Sequence, residues 1–390
     1  MRTLDDILHG YSLDELGAMV DYLDAPVDLS SPKRDVISLL SGYLSNSPDV
    51  WLSRLPENDL RLLGKLEKAG PGQKILIIRP DYPPVVEALK IVKCDQYADF
   101  DMVEVSMSET IYQIISPHIH SVIAAKEING AFRLEQTIMG YLNIYGVLPL
   151  KTFVSLFFDD VCGDEKDLVR IAREVAECPI FKLYQERIKR DVYLVSPFVC
   201  EAREILDARR EHFRDIRRYA ANPSRTELIT AGQSAPFCAY GLHTPEGEAL
   251  LTMLRDVLDF SGEELQEAIH NVWMCSQFAM DDESTEQLFE IVTDRQDELG
   301  SFELFKHCID VLVDYSNSVP KWLLKGHSAK EVNSMLITVR VDELVKEYNY
   351  EEPGLNLYRM GLAVKPVAPD ALCPCGSGLS YRNCHGKVLN

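Results

Sequence analysis

Residues 134–160 read LEQTIMGYLNIYGVLPLKTFVSLFFDD. Leu134, Ile138, Tyr141, Leu142 and Tyr145 recur at helical spacing, which predicts a helix with one apolar face. Gly146 breaks it. Residues 149–160 then predict a second helix, rich in Phe153, Leu156, Phe157 and Phe158. Asp164 is placed to cap a third helix over 165–177, and Cys178-Pro179 to stop it. Residues 180–184 and 192–195 follow as two strands around the polar turn 185–191.

Three helices and a hairpin are the element order of a winged helix, so 130–198 reads as a winged-helix-like α+β unit. In that fold the third helix and the wing face DNA. The candidate nucleic-acid contacts are therefore Lys166, Arg170 and Arg173 on the helix, and Arg187, Lys189 and Arg190 on the wing. Asp164, Glu165, Asp167, Glu174 and Glu177 offset the helix's positive charge, and winged helices also dock proteins. Both readings stay open.

Upstream, residues 1–54 read as a small helical module. Ser12 and Glu15 make a capping box for a helix to about Tyr22. A loop covers 25–31, and Ser31-Pro32 supplies an N-cap and an N1 proline for a helix to about Leu44. Helix, extended loop, helix resembles the module at the front of the Rho transcription terminator and SAP-type modules. That resemblance implies contact with nucleic acid. Residues 55–125 change texture. A helix opens at Pro56 and ends near Gly70-Pro71-Gly72, and 75–78 is a short apolar run. Pro83-Pro84 opens a helix to about Lys93, 101–106 alternates like a strand, and Ser108 begins another helix. This reads as a second, smaller winged-helix-like α/β unit.

Downstream, 199–352 reads as a helical domain. A charged helix over 201–218 carries Arg203, Arg209, Arg210, Arg214, Arg217 and Arg218 interleaved with acids. Such interleaving marks a solvated, ion-paired face, with an arginine patch for nucleic acid as the alternative. Residues 222–224 and 231–236 look like a boundary. Between Glu246 and Glu303 stand 16 Asp and Glu against Arg255 and Arg295, around apolar stripes such as Leu250, Leu251, Leu254 and Leu258, then Leu265, Ile269, Val272 and Trp273. These acids are solubilising faces or a docking surface for a basic partner. Ser328 and Glu331 make another capping box, Pro320 and Gly326 fix a tight connection, and Trp322 is its buried anchor. The stretch 317–331 resembles one found in uncharacterised bacterial proteins that end in a zinc tail.

Residues 370–390 hold the most specific pattern. Cys373, Cys375, Cys384 and His385 stand at C-x-C-x8-C-H spacing within 13 residues. Tetrahedral Zn²⁺ takes four such sulfur and nitrogen donors, and a structural site leaves no open position. The intervening Gly376-Ser377-Gly378 supplies the backbone freedom for a sharp reversal. This is similar to the SEC-C motif, named for the tail of the preprotein-translocase motor ATPase. By that resemblance the four residues are zinc ligands of a C-terminal knuckle. The family usually carries lysines where Leu379, Ser380 and Asn383 stand, which weakens a carry-over of a basic docking surface. The chain has no phosphate-binding Gly-x-x-x-x-Gly-Lys-Ser/Thr loop, so the translocation activity does not carry over.

Apolar residues make up 46% and charged residues 26%, which excludes a disordered, collagen-like or membrane-embedded chain. With 61 acids against 40 basic residues, the net charge of −21 repels nucleic acid on average. The first nine residues lack a signal-peptide apolar core, and 141–158 is interrupted by Asn143, Pro149 and Lys151, so no membrane insertion is expected. Cys94, Cys162, Cys178, Cys200, Cys238, Cys275 and Cys308 are scattered singly and read as reduced core thiols of a cytoplasmic protein. His118 and His120 are half a metal site at most. No catalytic motif is found. The reading is a mainly α, multidomain, zinc-binding adaptor with a protein partner and without catalytic activity. The alternative is a nucleic-acid-binding regulator.

Overall fold

Capping chemistry sets the first helices. In the computed structural model, which describes residues 3–78, 85–96, 102–161, 165–216, 218–220, 223–233, 240–278, 282–295, 299–333 and 380, α1 (Leu4–His9) and α2 (Leu13–Leu23) each start from a reciprocal box. Ser12 Oγ accepts the Glu15 amide at 3.2 Å, and the Glu15 carboxylate accepts the Ser12 amide at 2.7 Å. The Thr3–Asp6 box of α1 was not expected. In α3 (Lys33–Asn46), Pro32 rather than Ser31 takes the N-cap place, with no side-chain cap. Then come α4 (Pro48–Leu52) and α5 (Glu57–Ala69).

β1 (Lys74–Ile78), α6 (Val85–Ala88), β2 (Val92–Gln96) and β3 (Met102–Met107) follow. The sheet is antiparallel in the order β1-β3-β2, with Ile75 and Cys94 both opposite Val105. The helix expected to reach Lys93 stops at Ala88. Lys90 takes φ +56°, which turns the chain into β2. α7 (Glu109–Ile115) is capped by Ser108, and α8 (Ile119–Ile128) leads to α9 (Ala131–Tyr145). The one-faced helix expected at 134–145 is in fact buried on every side from Thr137 through its end, the mark of a central helix.

α10 (Leu150–Val161) and α11 (Glu165–Glu177) fall where the sequence places them or beside it, while β4 (Val147–Pro149) is a strand the sequence reading did not place. Residues 180–184 are not a strand. Pro179 sits at the first position of α12 (Pro179–Leu183), where its fixed φ and missing N–H suit a helix start. The strands are β5 (Gln185–Ile188) and β6 (Asp191–Val195), in a second sheet ordered β4-β6-β5. The charged helix is shorter than expected, α13 (Ala202–Glu211). The supposed boundary at 231–236 overlaps α14 (Arg225–Gln233), in which Ala231 is buried. α15 (Pro245–Thr252) runs into a π-helical turn at Met253–Val257, then α16 (Gly262–Phe278), α17 (Asp282–Thr293) and α18 (Phe302–Ser318). The chain is thus mainly helical with two small three-stranded sheets.

Two compact units share these elements. One comprises residues 1–140, 157–186 and 228–236, and the other 141–156, 187–227 and 237–390. The core of the first gathers Leu16, Leu40, Trp51, Leu63, Val105 and Ile119. Within it α9 and α14 cross with backbones touching: a Cβ on Gly140 would stand 2.0 Å from Leu228 O, and one on Gly232 1.9 Å from Gln136 O. The core of the second gathers Leu250, Leu254, Leu258 and Leu265 of the apolar stripes read from the sequence, together with Leu312 and Tyr315 of α18.

Candidate functional site

The connection 320–328 is built as the sequence predicts. Pro320 and Ser328 form an isolated antiparallel bridge, and Gly326 takes φ +84°. Ser328 Oγ accepts the Glu331 amide at 3.2 Å, while the Glu331 carboxylate accepts the Ser328 amide at 2.9 Å. Trp322 is fully buried, and its Nε1 donates to Asn143 O at 2.7 Å. Its ring packs edge-on to Trp273 with centroids 5.8 Å apart.

Arg209 is the residue that sequence reasoning misplaced. It belongs not to a solvated face but to the interior of the second unit, 4% exposed. Its guanidinium donates to Trp322 O through Nε and Nη2, to Val147 O through Nη1 at 2.6 Å, and to Tyr145 O through Nη2 at 2.8 Å. Nη1 also donates to Tyr219 Oη at 3.2 Å. Tyr145 O lies at the C-terminal end of α9, where the helix dipole favours a cation. Lys321 is buried too. Its Nζ donates to Ser276 O and Ser316 Oγ, and burial pulls its pKa down to about 7.

The first unit holds a second buried ionisable group of residues. Lys126 Nζ lies 2.7 Å from Glu135 Oε1 and donates to Leu55 O at 2.7 Å and Ser53 O at 3.2 Å. The Glu57 amide donates to Glu135 Oε2 at 2.8 Å. Burial raises the Glu135 pKa against the pull of Lys126. The Asp59 carboxylate accepts the Val86 amide at 2.7 Å, and burial pushes its pKa up to about 7. Glu135 Oε1 has the Lys126 ion pair but no hydrogen-bond partner among the described residues, whereas Asp59 and Lys126 are hydrogen-bonded to backbone. In sequence, buried and solvated charges have the same letters, and only the apolar residues around Asp59 and Lys126 hinted at burial.

The candidate nucleic-acid residues fall on two elements. Lys166, Arg170 and Arg173 lie on α11, where Arg173 is exposed and Arg170 pairs with Glu174 at 2.7 Å. Arg187 lies on β5, Lys189 and Arg190 form the turn, and all three are exposed. The turn tightens at Lys189, whose φ is +58°. His118 and His120 do not converge. His118 Nδ1 meets Asp49 Oδ1 at 2.9 Å, and His120 Nε2 meets Glu67 Oε2 at 3.0 Å. Of the scattered thiols, Cys178 and Cys308 are buried and Cys94 and Cys275 half-buried, but Cys200 is exposed. Cys162 and Cys238 lie outside the described residues.

Cys373, Cys375, Cys384 and His385 also lie outside the described residues. Among the described residues no group of three His, Cys, Asp or Glu side chains is placed to hold a metal. The donor set itself, three thiols and one imidazole, suits zinc. Comparison with known families matches the SEC-C motif over residues 371–387. No curated protein and no solved structure matches the chain. The chain is a SEC-C motif-containing protein, and no helix among its described residues is long and apolar enough to cross a membrane.

Proposed function

We propose that this chain is a zinc-bearing cytoplasmic adaptor whose helical units dock other proteins. The SEC-C match at 371–387 carries the reading. Cys373, Cys375, Cys384 and His385 would hold Zn²⁺, with all four positions filled by protein. Such a site supplies folding energy rather than a catalytic water. The organisation that goes with this reading is a helical module over 1–54, winged-helix-like units over 55–125 and 130–198, a helical domain over 199–352 and the knuckle over 370–390. The order helix, strand, two helices, a short helix and a hairpin from α9 to β6 supports the second of those units.

A regulator that binds nucleic acid is the second reading. It is favoured by Arg173, Arg187, Lys189 and Arg190, which are exposed and carry no ion pair among the described residues. A net charge of −21 weighs against it. Metal analysis tests the zinc tail: one zinc per chain is expected, lost in the double variant Cys384→Ser/His385→Ala. An unchanged stoichiometry overturns it. Purifying the tagged chain from its own host with and without nuclease separates the readings, since protein partners of an adaptor survive nuclease and nucleic-acid carry-over does not.

A further inference from the structure

β1 (Lys74–Ile78) stands at one edge of the first unit's sheet, because β3 is the central strand. Its other edge makes no backbone hydrogen bond with a described residue. An open edge presents a row of unpaired N–H and C=O groups, and proteins usually blunt such edges with charge. The β2 edge is blunted in that way, since Lys93 and Asp95 pair with each other along it. β1 reads Lys-Ile-Leu-Ile-Ile and carries one charge, at its first residue.

Both faces of β1 lack cover. On the core face Ile75 and Ile77 lie opposite Val105 and Val103 of β3. Val105 is 0% exposed and Val103 9%, but the two isoleucines are only half-buried. The apolar layer therefore reaches the last strand and stops there uncovered. On the outer face Leu76 is 47% exposed. A strand added to this edge would pair the free backbone groups and cover all three side chains, the arrangement of β-augmentation.

The strand's own pattern sets the occupant. When β1 is laid antiparallel on the β1 of a second copy, with all five residues overlapping, Leu76 falls opposite Leu76 and Ile75 opposite Ile77. Opposite residues share a face, so apolar meets apolar on both faces. Lys74 falls opposite Ile78, which separates the two lysines by about 13 Å along the strands, beyond the screening length of about 8 Å in physiological salt. This pairing is its own two-fold mate and closes after two copies. Pairing β1 with the β2 of a second copy would instead propagate, and would bring the apolar edge against Lys93 and Asp95.

We propose that two copies of this chain pair β1 to β1, joining their three-stranded sheets into one. The test is sedimentation of the full chain over a concentration series in physiological salt. The wild type is expected to pass from monomer to dimer as concentration rises. Leu76→Lys and Leu76→Glu each set like charges opposite one another at the two-fold axis, and each should weaken dimerisation at least about tenfold. Within one chain position 76 faces Glu104, so Leu76→Lys gains an opposite charge there and keeps the fold. An equal mixture of the two variants should dimerise again, opposite charges now facing, which a misfolded variant could not do. Leu39→Glu replaces a leucine 52% exposed on α3 and should leave the dimer unchanged. The pairing is overturned by a wild type that stays monomeric, by Leu76 variants that dimerise normally or by a mixture that stays monomeric. Equal loss in Leu39→Glu, or growth beyond the dimer, overturns it as well.

Discussion

A guanidinium stays charged at any pH a protein survives, so Arg209 carries a permanent charge into the interior of the second unit. No carboxylate meets it among the described residues, and backbone carbonyls share its donors instead. Arg209→Met should strand Tyr145 O, Val147 O and Trp322 O without their donor. An unsatisfied buried polar group costs about 1–3 kcal/mol, so a loss of roughly 3–5 kcal/mol is expected. Urea denaturation measures it, and a shift below about 1 kcal/mol would show the carbonyls finding water. Asp59 gives a pH signature. Its pKa is about 7 in the fold against an ordinary 3.8, so the folded chain binds this proton more tightly. Its contribution to stability is full below about pH 4 and is lost as pH rises to about 7. Lys321, lowered from 10.5 to about 7, has the opposite sign: stability rises with pH across that window. Asp59→Asn should flatten the acidic-side fall, and Lys321→Met the alkaline rise, when unfolding midpoints are compared across pH 4–10. Parallel curves for variant and wild type would refute the assignment. Neither Arg209 nor Lys321 was legible as a buried charge beforehand, and for Asp59 the apolar neighbours gave only a hint. Arg209 sits among five other arginines with acids between them, and periodicity alone does not say which member of a charged helix turns inward.

Elements were legible where local chemistry decides them. The boxes at Ser12–Glu15 and Ser328–Glu331 are contacts between residues three apart, so the sequence pattern and the hydrogen bonds coincide. The misread elements depend on partners far away in sequence. Residues 92–96 are a strand because β3 pairs with them, and nothing within the segment announces that partner. Residues 180–184 are apolar and short, the case in which period does not separate helix from strand. The crossing of α9 and α14 is likewise non-local, and it makes a sharp prediction. Gly140→Ala would drive a methyl into the Leu228 carbonyl at 2.0 Å, with backbone rather than a flexible side chain in the way. Destabilisation of at least about 2–3 kcal/mol is expected, at the upper end for an added methyl in a packed core. Gly17→Ala, whose nearest neighbour is Leu29 at 3.6 Å, should be close to neutral and serves as the control in the same thermal melt.

At the scale of the molecule, the zinc motif was readable because its donors lie within 13 residues of one another, whereas the Arg209 cluster joins residues from 145 to 322. Chelation should release one zinc and expose the region after about residue 370 to protease, while helical circular dichroism holds nearly constant. A cooperative collapse of the helical signal would place the metal within the folding unit of the body. The charge of −21 predicts that random duplex selection yields no motif bound at roughly 10⁻⁸ M in physiological salt. Recovery of one, lost on Arg173→Ala, would turn the argument to the regulator.

The interleaved make-up of the two units bears on how the chain matures at the ribosome. The first unit draws on residues 1–140, 157–186 and 228–236, so it stays incomplete until α14 has emerged. At about 5–20 residues per second, the interval between completion of α9 and of α14 is roughly 4–18 seconds. Throughout it, the Gly140 side of α9 lacks the helix that covers it. A nascent chain stalled near residue 200 should therefore bind a chaperone that recognises exposed apolar helix, and one stalled past residue 280 should bind it less.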